Sequence, residues 1–173
     1  PKPLQKPHPP IFQPFASSEK SIRWCAEEGV TAILPPLHPI RERALFELYA
    51  EVSKRPIGEG IGVLRDVVIA DSDEEAQALW HDNSAFAGAA WFEPFGFSQG
   101  FAHPTTGELP DFLTTGLALV GTVDTVTRQM ETLLQRLPAQ WIFAWNYIQL
   151  IPHQKLMKSI EQFWTKVMPR FVG

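Results

Sequence analysis

The chain has 173 residues, 45% hydrophobic and 20% charged, a make-up that supplies one buried core and excludes an intrinsically disordered chain. A formal charge of -4 and a pI near 5.7, with no Lys/Arg-rich run, exclude the electrostatic footprint of a protein that tracks phosphate backbones, so no nucleic acid is expected as a partner. Cys25 is the single cysteine, which excludes an internal disulfide and, without a CxxC or Cys/His cluster, a structural zinc; no metal is expected, and a cytoplasmic location is.

Pro1 to Pro10 holds five prolines. Fixed φ angles and missing amide donors make it an extended connector, and it lacks the apolar centre of a signal peptide. It reads as the middle of a longer polypeptide. Ile11 to Phe15 is a short apolar strand, Ser17 and Ser18 are N-cap candidates for a helix through Ile22, Cys25 and Ala26, and Gly29 is its stop. Val30 to Leu34 is a buried strand and Pro35 to His38 a loop. Pro39 sits at a first helical position ahead of Ala44, Leu48 and Val52.

Ile61 to Ala70 is a third strand, with Arg65 and Asp66 assigned to that strand's own hydrogen bonding, and Ser72 to Glu75 is a capping box opening the next helix. From Asn83 to Thr115 the periodicity disappears, in a stretch longer than the roughly 12 to 15 residues usual for structureless connections, which marks an insertion or lid. Thr122 is the next N-cap, with Val126, Met130, Leu133 and Leu137 at helical spacing before Pro138. Trp141 to Ile148 is the last strand, and Gln154 to Val167 a closing helix. No apolar run reaches the roughly 18 residues of a membrane span, so no membrane partner is expected.

Strands alternating with helices predict an α/β fold with a parallel sheet. Four β/α units make either an open sheet or half of a (β/α)8 barrel, which takes about 250 residues. An isolated half leaves two unpaired strand edges, which argues for a covering partner.

The segments PKPLQKPHPPI, SSEKSIRWCAEEG, RDVVIADSDEEA, GTVDTVTRQMETLL and SIEQFWTKVMPRF follow one another across nearly the whole chain. In that order they resemble the second half of the bacterial luciferase-like, flavin-dependent monooxygenases. The resemblance implies a TIM (β/α)8 barrel of luciferase-like type, with this chain as one domain supplying the C-terminal four units plus the insertion at 83–115. It implies reduced FMN at the C-terminal ends of the strands, supplied by a flavin reductase, and O2 as the oxidant of a small, apolar organic substrate. Some relatives use a deazaflavin coenzyme instead. It further implies that activity needs an N-terminal half-barrel or a homo-oligomeric partner; a non-catalytic half-barrel fragment or subunit is the alternative.

Ser17, Ser18 and Ser21 lie where a strand gives way to a helix, and free amides with the positive end of the helix dipole favour an anion there. The resemblance matches Ser18 and Ser21 to hydroxyl contacts of the FMN phosphate; the alternative is simple capping. Gln13 and Phe15 stand at the C-terminal end of the first strand, where either can face a flavin ring or belong to the barrel interior. Trp145, Asn146 and Tyr147 end the last strand, so one or two of them point into the barrel mouth, with core packing as the alternative for Trp145.

The five histidines are too scattered for a metal site. His38 follows the second strand and His103 lies in the insertion, so both are candidates for a substrate pocket, against a plain solvated role. Phe86, Trp91, Phe92, Phe95, Phe97 and Phe101 of the insertion suit an apolar pocket that excludes water, with Phe92 and Phe95 as the chosen lining, or else a subunit interface. No catalytic base is assigned, because the resemblance places such residues in the N-terminal half, and Cys25 is read as packing.

Overall fold

The computed structural model describes residues 3–96, 100–146 and 150–172 and the backbone, not the side chain, of Trp91. Phe97, Tyr147 and the end of the strand expected to reach Ile148 lie outside the described residues. Among the described residues five parallel strands alternate with helices: β1 (Phe12–Gln13), α1 (Glu19–Glu28), β2 (Thr31–Leu34), α2 (Pro39–Ser53), β3 (Ile61–Ile69), α3 (Asp73–Ala87), β4 (Ala118–Gly121), α4 (Val123–Arg136), β5 (Trp141–Trp145) and α5 (His153–Gln162). The expected four units are therefore corrected to five strands. β4 was missed because Leu117–Val120 is too short an apolar run to register beside the irregular stretch before it.

Local chemistry sets the helix ends. Ser18, Ser72 and Thr122 each accept the amide of the residue three further on, which satisfies an orphan donor of the first turn. Gly29 closes α1 in the left-handed region, with its amide on the Cys25 carbonyl, a conformation open to glycine at little cost. α3 runs on to Ala87 and passes into a π turn over Gly88–Phe92 and a 3-10 turn over Glu93–Phe95, so the first part of the expected irregular insertion is helical. The closing helix likewise becomes a π turn at Phe163–Val167.

β3 organises the sheet. Its first residues pair with β2 (Ile61–Val63), its middle with β5 (Gly62–Asp66), and its last with β4 (Asp66–Ile69). Because β2 and β5 share Gly62 and Val63, they occupy opposite edges. Strand alternation then separates two faces. On one, Ala32, Leu34, Ile61 and Val63 pack with Ile22, Cys25, Phe46 and Tyr49 of α1 and α2, while Val67, Ile69 and Leu119 pack with Val126, Met130 and Phe163. Each fully buried Val, Leu, Ile, Phe or Met among them contributes about 1.5–3 kcal/mol.

The opposite face carries Phe12, Ile33, Gly62, Leu64, Asp66, Val68, Trp141, Phe143 and Trp145, as the registers require. Its upper end is covered: Val68, Ala118 and Val120 meet Ala76, Leu79 and Trp80 of α3 together with Phe112 and Leu113. Its lower end is not, for Trp141 is 40% and Phe143 37% exposed. This is the face that points inward in a closed barrel.

Candidate functional site

A cavity of about 410 Å³ opens at the C-terminal ends of the strands, beneath α3. Phe15 and Ser17 come from the turn after β1, Pro35 to Leu37 from the loop after β2, Asp66 from β3 and Trp145 from the end of β5, while Ser84, Gly88, Phe92, Phe101 and Phe112 roof it. Phe15 has φ 54°, a left-handed conformation that costs a side-chain-bearing residue roughly 1–2 kcal/mol, and it lines the cavity from the turn two residues past β1.

The aromatic rings form a chain around this space. Phe15 meets Trp145 (centroids 5.9 Å, 79°), Trp145 meets Phe92 (6.5 Å, 70°), and Phe92 meets Phe101 (6.1 Å, 87°). Phe101 meets Phe112 (5.4 Å), and Phe112 meets Trp80 (6.2 Å). The circuit closes on Asp66, whose Oδ2 accepts from Trp80 Nε1 at 2.8 Å and which pairs in register with Trp145. Edge-to-face contacts of this kind add about 0.5–1.5 kcal/mol each beyond burial and stiffen the wall.

Of the site residues expected from sequence, the cavity brings together Phe15, Ser17, Phe92 and Trp145; Ser18, Ser21, Gln13, His38, Phe95, His103 and Asn146 are not among its lining. Ser18 Oγ caps α1 and lies 2.9 Å from Ser21 Oγ, so both hydroxyls stand at the helix start next to Ser17. Gln13 shares the helix-side face with Ala32 and donates to the Pro14 carbonyl. Phe95 is 68% exposed. Asn146 Oδ1 is buried without a hydrogen-bond partner among the described residues.

His38 and His103 meet each other beside the cavity instead. Their rings lie 4.8 Å apart at 80°, and the His38 amide donates to the Gly100 carbonyl at 3.0 Å. His38 Nδ1 accepts from Ile40 N, and His103 Nδ1 from the amides of Thr105 and Thr106. Each Nδ1 is thus used as an acceptor of backbone amides, which leaves Nε2 as the ring nitrogen available to a further partner. Burial, reinforced by His103, pulls the His38 pKa below its ordinary value. Among the described residues no group of three or more His, Cys, Asp or Glu is placed to hold a metal, and no helix is long and apolar enough to cross a membrane.

Sequence reasoning missed Asp66, Trp80 and Phe112. Arg65 and Asp66 had been given one shared role, yet adjacent strand residues face opposite ways. Arg65 points to the helix side, fully buried, where it donates to Glu42 Oε1 at 2.7 Å, the Gly116 carbonyl at 2.7 Å and the Leu64 carbonyl at 2.8 Å. Asp66 points to the cavity. Period-two alternation was the available signal.

No protein-family model matches the chain and no curated protein matches it. Solved structures do. The monooxygenase RslO1 from Streptomyces bottropensis is similar at TM-score 0.79 and 19% identity, over 99% of this chain and 51% of that one. The oxygenating constituent of 3,6-diketocamphane monooxygenase, from the CAM plasmid of Pseudomonas putida, a type II Baeyer-Villiger monooxygenase solved with FMN, is similar at TM-score 0.72 and 21% identity, over 94% of this chain and 48% of that one. MsnO8, solved as the apo form, is similar at TM-score 0.61 and 16% identity, over 94% and 51%. These neighbours have the luciferase-like TIM-barrel fold. The chain spans about half the length of each and has the fold of that half.

Proposed function

We propose that this chain is the C-terminal half of a luciferase-like, flavin-dependent monooxygenase that uses reduced FMN and O2 to oxygenate a small, largely apolar organic substrate. The observation that carries the reading is the position of the aromatic cavity at the C-terminal ends of a parallel sheet, contiguous at Ser17 with the start of α1. The cavity volume and ring-lined walls suit a planar flavin or its substrate. The α1 start, with free amides and the hydroxyls of Ser17, Ser18 and Ser21, suits a phosphate.

When bound, the reduced flavin supplies two electrons, with one oxygen atom of O2 entering the substrate and the other leaving as water. This chain's residues bind and shield. Phe15 and Trp145 pack on the flavin ring, Phe92 and Phe101 exclude water, and the serines hold the phosphate. A separate flavin reductase provides the reduced cofactor, and the exposed inner face at Trp141 and Phe143 is buried by an N-terminal half-barrel.

The test is flavin binding by the full-length gene product, after intact and native mass establish whether a second half accompanies this one. Quenching of FMN fluorescence, followed by substrate-dependent oxygen uptake with reduced FMN, supports the proposal. Binding of a deazaflavin coenzyme in preference to FMN replaces it with a hydride-transfer oxidoreductase. A self-associated 19.5 kDa chain that binds neither replaces it with a non-catalytic half-barrel.

A further inference from the structure

Arg41, Asp66 and Glu93 are the charged residues among the described lining of the cavity. Asp66 accepts from the Trp80 indole and Glu93 is exposed. Arg41, half-buried in the first turn of α2, makes no side-chain hydrogen bond or salt bridge among the described residues. We propose that Arg41 is an anion anchor, pairing an oxyanion of the bound ligand, whether the phosphate of FMN or a carboxylate of the substrate. This inference rests on the monooxygenase reading for the cofactor and deepens it by assigning a charge to what the cavity takes.

Three observations converge. The arginines around Arg41 are paired within the protein: Arg65 and Arg136 donate to Glu42, and Arg43 to Glu47. Glu42, next to Arg41 in sequence, therefore has both oxygens engaged. A cation in the first turn of a helix also opposes the helix dipole, so helix stability does not account for Arg41. Ser17 stands on the same cavity, and the Ala16 amide donates to the Ile33 carbonyl at 3.1 Å, which draws the turn before α1 alongside the end of β2. Because α1 and α2 pack in one core cluster, Arg41 belongs to the rim that also carries the serines at the start of α1.

Energetics then set the charge and direction of the ligand. Filling the cavity removes water from Arg41, so a neutral ligand leaves the guanidinium less solvated than before, whereas an oxyanion replaces the lost water bonds with charge-assisted ones. The planar fork of a guanidinium matches a carboxylate or phosphate with parallel N–H donors, which an ammonium does not. Asp66 and Glu93 repel an anion elsewhere on the wall, and the circuit of rings takes the apolar body. The anionic end is thereby directed to Arg41.

The experiment is calorimetric titration of the full-length gene product, of Arg41→Gln and of Arg41→Lys, in two arms. One compares FMN with riboflavin, which lacks the phosphate; the other compares 2-naphthoate with 2-naphthamide, with oxidised FMN present and absent. In at least one arm the wild type binds the anion at least about tenfold more tightly than its neutral analogue, the discrimination of a hydrogen bond to a charged group. Arg41→Gln lowers that ratio by about tenfold, and Arg41→Lys lowers it by less. A fall in the flavin arm assigns the oxyanion to FMN, and a fall in the naphthoate arm assigns it to the substrate. The thermal midpoint of Arg41→Gln stays at the wild-type value, because the guanidinium has no partner to lose among the described residues. No discrimination in either arm, or a ratio unchanged in Arg41→Gln, overturns the inference. So does a lower midpoint with anion and neutral analogue weakened equally, which makes Arg41 a structural residue. Failure to bind either flavin, with 2-naphthoate still preferred, overturns the monooxygenase reading alone.

Discussion

Arg65 Nη2 donates to Glu42 Oε1 at 2.7 Å, and both side chains are fully buried between β3 and α2. Glu42 Oε2 also accepts from Arg136 Nη1 at 3.1 Å, and Oε1 from the Leu37 amide at 3.3 Å. One carboxylate thus ties α2, β3, α4 and the loop that walls the cavity. Removing it leaves a buried guanidinium uncompensated, which costs about 3–5 kcal/mol. Glu42→Ala is expected to lower the urea midpoint accordingly, while Arg43→Ala, at an exposed pair, moves it by less than about 1 kcal/mol. Equal effects would refute the assignment.

Asp73 carries an acid-side dependence. Its Oδ1 accepts the Thr122 amide at 2.7 Å and its Oδ2 the Thr125 hydroxyl at 2.9 Å, joining the starts of α3 and α4. The Thr122 bond, with that of Thr125, holds its pKa below the ordinary 3.8 despite partial burial. A depressed folded pKa contributes stability above the unfolded value, and that contribution is lost as pH falls through the folded one. Asp73→Ala is therefore less stable than wild type at pH 7, by about 1–2 kcal/mol for two partly exposed bonds, and the gap in thermal midpoint narrows below pH 4.

His38 works in the same sense at higher pH. Its Nδ1 caps α2 as an acceptor, so protonation removes the cap. The groups around it are His103, Glu42 and Arg136, and the net effect, led by burial, is a folded pKa below the ordinary 6.5. Its contribution is present above that value and disappears on acidification through the folded pKa. Between pH 7.5 and 5.5 the melting temperature of wild type should fall further than that of His38→Asn, which keeps an oxygen acceptor without a titrating ring. Parallel curves would exclude the cap as the sensitive group.

Gly62 lets β5 approach β3. A Cβ there would stand 2.5 Å from the Trp141 carbonyl oxygen and 2.6 Å from the Trp141 Cβ, so Gly62→Ala must displace the strand that ends in Trp145. Such overpacking costs about 1–3 kcal/mol and should also weaken FMN binding by shifting the cavity wall. At Gly29 a Cβ meets open space but the left-handed φ of 69° remains. Gly29→Ala should cost about 1–2 kcal/mol with ligand affinity intact, a separation that denaturant melts and titrations read together.

Much of this architecture was legible because local chemistry and burial agree. Ser18, Pro39, Ser72 and Thr122 start helices where polar caps precede apolar stripes, and Ile61 to Ile69 is β-branched and buried on both faces. The site was less so. Ser17 and Trp145 could be placed at strand ends, but Trp80 reaches Asp66 only because α3 folds back over the inward face of β3, a tertiary relation with no periodic signature. His38 and His103, sixty-five positions apart in sequence, are joined through the Gly100 carbonyl, and neither spacing nor composition points to that contact.

Trp80 is the positioning partner of Asp66, and Trp80→Phe separates its two contributions. Phenylalanine keeps an aromatic ring against Phe112 and deletes the indole donor, so the circuit of rings survives while the carboxylate loses the bond that orients it. Loss of a hydrogen bond to a charged group costs about 1.5–3 kcal/mol at full burial and less here, where the pair is part-buried. The informative readout is FMN affinity beside stability. Trp80→Phe should lower the denaturation midpoint and weaken the quenching of FMN fluorescence by the full-length gene product, because the Asp66 side chain on the cavity wall is no longer held by the indole. If Trp80→Phe lowers stability yet leaves FMN affinity at the wild-type value, Trp80 holds only the fold.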